Sequence, residues 1–94
     1  MLEKKIERRL RGMVQERGGL TYKFKSSEAG VPDRIVITPN GVVWFVELKT
    51  KEGRVSKIQE YQINKLKKAK ANVRVVYGSY GVDDFMREVF GNGI

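Results

Sequence analysis

Residues 33–49 read Asp-Arg-Ile-Val-Ile-Thr-Pro-Asn-Gly-Val-Val-Trp-Phe-Val-Glu-Leu-Lys. Two apolar runs flank Pro39-Asn40-Gly41, and Asn-Gly is the dipeptide that accepts the positive φ of a tight hairpin. Arg34–Thr38 and Val42–Lys49 therefore read as antiparallel neighbours, and the second run is apolar enough to lie inside a sheet. Side chains two apart in a strand share a face, roughly 7 Å apart. Glu47 and Lys49 thus share a face with Val43 and Phe45, while Val42, Trp44, Val46 and Leu48 point the other way. Counting back from the turn sets Asp33 opposite or near Glu47–Lys49.

The pattern extends outward on both sides. Leu2, Ile6, Leu10, Met13 and Val14 recur at the spacing of one helical stripe, which predicts a helix over 2–17 ended by Gly18-Gly19. Leu20, Tyr22 and Phe24 alternate with polar residues as a strand. Residues 26–32 read as a loop. Beyond the hairpin, 50–55 is a basic loop and Ser56 opens a helix over 57–70, with Gln59 in capping-box position. Ile58, Tyr61, Leu66 and Ala69 mark the expected buried side, and Gln62 falls within that stripe, where it needs a buried hydrogen-bond partner. Val73–Tyr77 is a short strand, 78–81 a turn, and Asp83 or Asp84 the start of a short helix carrying Phe85, Met86, Val89 and Phe90. The order α-β-β-β-α-β-α, with a helical crossover returning the last strand parallel, predicts one α/β domain over 1–94: a mixed β-sheet with flanking helices.

Composition limits the chemistry. The chain has 94 residues, no cysteine and no histidine, which removes disulfides, thiolate metal sites, cysteine nucleophiles and the commonest general base. No apolar run approaches the ~20 residues of a membrane span, and no signal peptide is evident, so a soluble cytoplasmic protein without membrane contact is expected. The net charge is +8, and residues 1–25 and 51–74 each carry 8 basic groups against 3 and 2 acidic ones. Basic flanks around a central segment with few acids suit a polyanion such as DNA or RNA; a solvated lysine-rich surface is the plain alternative.

Two carboxylates held close repel and favour a cation, and oxygen ligands alone select a hard one, Mg²⁺ or Mn²⁺. A lysine beside them can orient water and balance charge on a phosphate, so Asp33, Glu47 and Lys49 suit phosphodiester hydrolysis. The competing account is a turn-capping Asp and an ordinary Glu–Lys ion pair. Tyr77 and Tyr80, beside glycines, could stack on bases, but core or edge packing is the expectation for them, as for Trp44, Phe24 and Tyr61.

Gly30-Val31-Pro32-Asp33-Arg34, then Phe45-Val46-Glu47-Leu48-Lys49, then Ser56–Gln59 opening a basic helix, resembles the VRR-Nuc family of the PD-(D/E)xK nuclease superfamily. The resemblance runs to about Asp84 and looks like the stand-alone phage or bacterial type. It implies a restriction-endonuclease-like core. It makes Asp33 and Glu47 metal ligands, the Leu48 carbonyl a third, and Lys49 the catalytic lysine. A glutamate from the first helix joins them: Glu7, at the rim of the stripe about 20° from Val14, or Glu3 one turn earlier. For Glu7 an ion pair with Arg11 is the competing role. Gln59 resembles a family glutamine that supports the site or a phosphate, with its capping-box role as the equal alternative. Lys23, Arg34, Lys51, Arg54 and Lys57 are the candidate nucleic-acid contacts. The implied activity is an Mg²⁺-dependent (or Mn²⁺-dependent) DNA endonuclease leaving a 5′-phosphate and a 3′-hydroxyl. Its substrate would be branched, such as a four-way (Holliday) junction of DNA repair. Symmetric cutting fits a homodimer, with the Phe85–Phe90 helix as the expected interface. Flap or nicking endonuclease activity is the near alternative, then a non-catalytic basic nucleic-acid-binding module or an assembly protein.

Overall fold

The computed structural model describes residues 2–91, without the side chain of Leu2. Helix α1 (Leu2–Glu16) is followed by strands β1 (Leu20–Lys23), β2 (Arg34–Ile37) and β3 (Val43–Lys49). Helix α2 (Lys57–Lys68), strand β4 (Asn72–Tyr77) and helix α3 (Gly78–Phe90) complete the chain. The sheet has the order β1-β2-β3-β4. β1 pairs antiparallel with β2, and β2 antiparallel with β3 through Arg34↔Val46 and Ile37↔Val43. β3 pairs parallel with β4 from Trp44↔Asn72 to Lys49↔Tyr77. The mixed sheet and crossover expected from the sequence are both present, with β3 internal as its apolar run requires.

The period-2 alternation of β3 divides the molecule. Trp44, Val46 and Leu48 join a core built with Ile6, Leu10 and Val14 of α1, Val36 of β2, Val76 of β4, and Val82, Phe85 and Met86 of α3. Trp44 and Phe85 meet edge to face at 5.7 Å, a geometry worth about 1 kcal/mol beyond the area buried. Two bidentate ion pairs flank this layer, Arg9 to Asp83 between the outer helices and Arg74 to Glu88 from β4 to α3.

Local chemistry sets the element ends. α1 stops where Gly18 turns to φ +78°, and the Gly19 N–H returns to the Val14 carbonyl at 3.0 Å. The hairpin turns within Thr38–Gly41: Gly41 alone carries the positive φ, its N–H donates to the Thr38 carbonyl at 2.8 Å, and Val42 N–H donates to Thr38 Oγ1 at 3.0 Å. β2 therefore ends at Ile37 and not at Thr38, whose polar groups are spent on the turn.

Three expectations change. The helix α3 opens at Gly78, directly after β4, instead of near Asp83. A Cβ on Gly81 would stand 3.3 Å from the Val76 backbone, so this glycine permits close helix–strand packing and does not mark a turn. Phe85 and Met86 are fully buried in the chain's own core, so they offer no surface to a second copy. On α2 the buried residues are Gln62 and Ile63, whereas Ile58 and Tyr61 are 47% and 56% exposed.

The 26–32 loop is fastened to α2 by two features. Gln62 Nε2 donates to the Ala29 carbonyl at 3.2 Å, the partner its position required. Gly30, at φ +88°, approaches so closely that a Cβ there would lie 2.6 Å from the Ile58 carbonyl oxygen. Gly30→Ala combines backbone strain with a clash against backbone and is expected to cost about 2 kcal/mol or more. A drop in the thermal midpoint of roughly 10 °C or more by circular dichroism is the corresponding result.

Candidate active site

β3 outlasts β2. The last pair of their register is Arg34↔Val46, so Glu47, Leu48 and Lys49 run on past the start of β2, and Asp33 sits just before it. That step opens a cleft of about 200 Å³ lined by Glu3, Lys4, Glu7, Lys23, Asp33, Arg34, Glu47 and Leu48. This register agrees with the count from the turn, which puts Asp33 opposite or near Glu47–Lys49.

Glu47 is the unusual group. It is 8% exposed on an internal strand. Burial pushes its carboxyl up to about 7, the negative charge of Asp33 and more weakly that of Glu3 add to the effect, and Lys49 opposes it. The Lys49 ammonium stands 3.9 Å from Glu47 Oε2, too far for a full hydrogen bond. Gln59 Nε2 donates to the same oxygen at 3.2 Å.

Gln59 makes both of the contacts that the sequence sets against each other. Its Oε1 accepts from the Ser56 N–H at 2.9 Å while Ser56 Oγ accepts from the Gln59 N–H at 3.2 Å, a complete capping box. The cap uses the amide oxygen and Glu47 takes the amide nitrogen, so α2 is tied to β3 through one side chain. Two substitutions separate these functions. Ser56→Ala removes the cap alone and is expected to cost about 1 kcal/mol without freeing Glu47. Gln59→Ala also frees Glu47 and, for the DNA cleavage that the sequence resemblance implies, is expected to lower the rate by about 10–100-fold. Melting curves and initial cleavage rates of both variants check the pair.

Glu7 is engaged elsewhere. Arg34 donates to Glu7 Oε2, and Lys23 Nζ lies 3.7 Å from that oxygen. Partial burial pulls the Glu7 carboxyl up, but the hydrogen bond and charge of Arg34, with Lys23 and Arg11, outweigh it and hold it below the usual carboxylate range. Among the described residues no three acidic side chains gather as a metal-holding cluster. Glu7, the helix glutamate that the resemblance implies, lines the same cleft as Asp33 and Glu47 and is bonded there to the Arg34 guanidinium.

Arg34 also departs from expectation. It is 4% exposed, on the α1 side of β2 with Val36, bonded to Glu7 and, at 3.3 Å, to Thr21 Oγ1. A buried, paired guanidinium is not a free phosphate contact; its role is to bind α1 to the sheet at the cleft. The signal was in the alternation, since an arginine in phase with Val36 points inward and needs a carboxylate. Lys23, Lys51, Arg54 and Lys57 are exposed as expected. Glu3 and Lys4 line the cleft too, and Lys4 was not singled out from the sequence. Tyr77 and Tyr80, expected to pack, are 42% and 82% exposed.

The donor set bears on metal chemistry. Asp33 and Glu47 supply carboxylate oxygens, with Leu48 adjoining, and the repulsion that Asp33 adds at Glu47 is opposed by Lys49 at 3.9 Å without being cancelled. Hard oxygen donors with unsatisfied negative charge fit a divalent cation such as Mg²⁺.

Comparison with known proteins follows the same outline. Residues 1–80 match the model of the VRR-NUC domain. Over 48 residues the chain is 50% identical to "Putative nuclease p44" of Acyrthosiphon pisum secondary endosymbiont phage 1, covering 50% of this chain and 52% of that protein. The chain thus spans about half the length of this curated relative. A solved structure described as a VRR_NUC domain has a TM-score of 0.88 at 30% identity, covering 95% of this chain and 98% of its own. Hjc, a Holliday junction resolvase of the archaeal hyperthermophile Archaeoglobus fulgidus, has a TM-score of 0.58 at 15% identity, covering 80% and 67% of the two chains; at that identity the likeness is one of fold. Among the described residues no helix is long and apolar enough to cross a membrane.

Proposed function

The chain belongs to the VRR-NUC domain family, and from that membership we propose that it is a metal-dependent endonuclease hydrolysing phosphodiester bonds of branched DNA. The observation that supports this most is the meeting of Asp33, Glu47 and Lys49 at the step between β2 and β3, with Glu47 left in need of a cation.

Asp33 and Glu47, with the Leu48 carbonyl, would hold the divalent ion. A bound ion of this kind supplies Lewis acidity to the phosphoryl oxygens and lowers the pKa of attacking water. The protein's own groups do the rest. Gln59 fixes the orientation of Glu47 by donating to one carboxylate oxygen. Lys49, two residues along on the same face, orients the attacking water and neutralises charge that grows on the phosphoryl oxygens in the transition state. Arg34 and Glu7 hold the α1 wall of the cleft, and the exposed Lys23, Lys51, Arg54 and Lys57 would follow the phosphate backbone. The products would carry a 5′-phosphate and a 3′-hydroxyl.

The substrate is tested by incubating labelled four-way junction, flap and linear duplex with the protein and Mg²⁺ or Mn²⁺. Paired cuts at symmetric positions of the junction support a resolvase acting as two copies. Preference for flaps, or single nicks, keeps the nuclease and reassigns the substrate. Equal cutting of linear duplex overturns the preference for branches.

A further inference from the structure

Lys49 has an aromatic neighbour on the side away from the cleft. Tyr77 ends β4 directly opposite Lys49 in the parallel register. Register partners in adjacent strands project to the same face, and the strands lie about 4.8 Å apart. Tyr77 therefore stands beside Lys49 on the face that also carries Glu47. Although Val76 before it is buried, the Tyr77 side chain remains 42% exposed. It forms one wall of an open groove whose other walls are Lys51, Glu52, Gly53, Arg54 and Val55. Gly78 (φ +65°), next along the chain, approaches Lys51 closely, since a Cβ there would lie 3.4 Å from the Lys51 Cβ. The loop after β3 and the end of β4 are thus fitted against each other, which keeps Lys51 and Arg54 on the same groove as the ring. Tyr80, 82% exposed, follows on α3.

We propose that Tyr77, flanked by Lys51 and Arg54, is a stacking station for an unpaired base next to the scissile phosphate. The chemistry is complementary in both parts: a phenol ring offers a π-face to any base, and the two cations match the phosphates on either side of it. A base inside a continuous duplex is already stacked on both faces and has none to give. A ring here therefore selects DNA with a nucleotide free to leave the stack, as at a branch, flap or frayed end. The position next to the cut rests on the nuclease reading; the stacking itself does not.

The test uses the whole chain in EDTA with a forked duplex carrying 2-aminopurine at the unpaired nucleotide beside the branch, and the same label inside a continuous duplex. Stacking on Tyr77 quenches the forked probe and leaves the continuous one unchanged. Tyr77→Phe keeps the quench because the ring remains. Tyr77→Ala and Tyr77→Leu, each checked for a native melt, lose it and bind the fork about 10-fold more weakly. Retention of both quench and affinity in the folded Ala or Leu variant overturns the station. Cleavage by the native protein in Mg²⁺ is scored separately. Quench without cleavage refutes the nuclease reading and leaves the station; cleavage without a Tyr77-dependent quench refutes the station alone.

Discussion

Lys49→Ala is expected to lower the rate of DNA cleavage by about 10²–10³-fold, the usual cost of removing a charged donor from a developing oxyanion. The side chain is only 18% exposed and held near Glu47 by the β3 register, so no neighbouring lysine can replace it. Lys51 lies beyond the strand end, in the groove with Tyr77. Lys49→Arg is not expected to restore the rate, because the planar guanidinium cannot occupy the same place. Affinity for DNA in EDTA should fall by less than about tenfold, since one charge among 19 basic groups is lost. Single-turnover rates beside anisotropy titrations separate the two effects. Unchanged cleavage in Lys49→Ala reduces Lys49 to an ion-pair partner of Glu47.

Glu47→Gln is expected to abolish cleavage and to stabilise the metal-free protein. A carboxyl moved from 4.5 to about 7 on folding disfavours the charged native form by on the order of 3 kcal/mol at most. The sign follows from proton binding. Between about pH 4.5 and pH 7 the folded state holds a proton on Glu47 that the unfolded state has lost, so stability falls as pH rises through that window. Below it, both states are protonated and the penalty vanishes. In EDTA at pH 8 the variant should melt roughly 5–15 °C above the native protein, and at pH 4 the two should nearly coincide. Mg²⁺ offsets the penalty by binding the native form, so it should raise the native midpoint and leave that of Glu47→Gln unmoved. A variant less stable than the native protein at pH 8 in EDTA contradicts the charge frustration described for this site.

The sequence was most legible where one local rule had no competitor. The alternation of 42–49 and the Asn40-Gly41 turn gave the hairpin, the internal strand and the neighbourhood of Asp33, Glu47 and Lys49. Errors arose where a residue type has two uses. Gly78 and Gly81 read as breakers, yet Gly81 serves close packing of α3 against Val76. Ile58 and Tyr61 fit a helical stripe, but the 26–32 loop packs on α2 through Ala29 and Gly30, so Gln62 is buried and Tyr61 is not. For Glu7, the resemblance and the helical projection bring it to the cleft, but neither shows that Arg34 reaches across from β2 to bond it. Gln59 was weighed as cap or site residue, and only the three-dimensional placement of α2 beside β3 shows that its two amide atoms can be divided between them.

On the proposed function, Asp33, Glu47 and Lys49 act as one metal-requiring hydrolytic site. End-labelled forked DNA incubated with the native protein, with Asp33→Asn and with Lys49→Ala, each in Mg²⁺ and in EDTA, tests it most directly when the product ends are analysed. The account predicts 5′-phosphate and 3′-hydroxyl products from the native protein in Mg²⁺, none in EDTA, and a loss of about 10²-fold or more in either variant. Cleavage that persists in EDTA or in Asp33→Asn, or tight salt-sensitive binding with no cleavage under any condition, would contradict it.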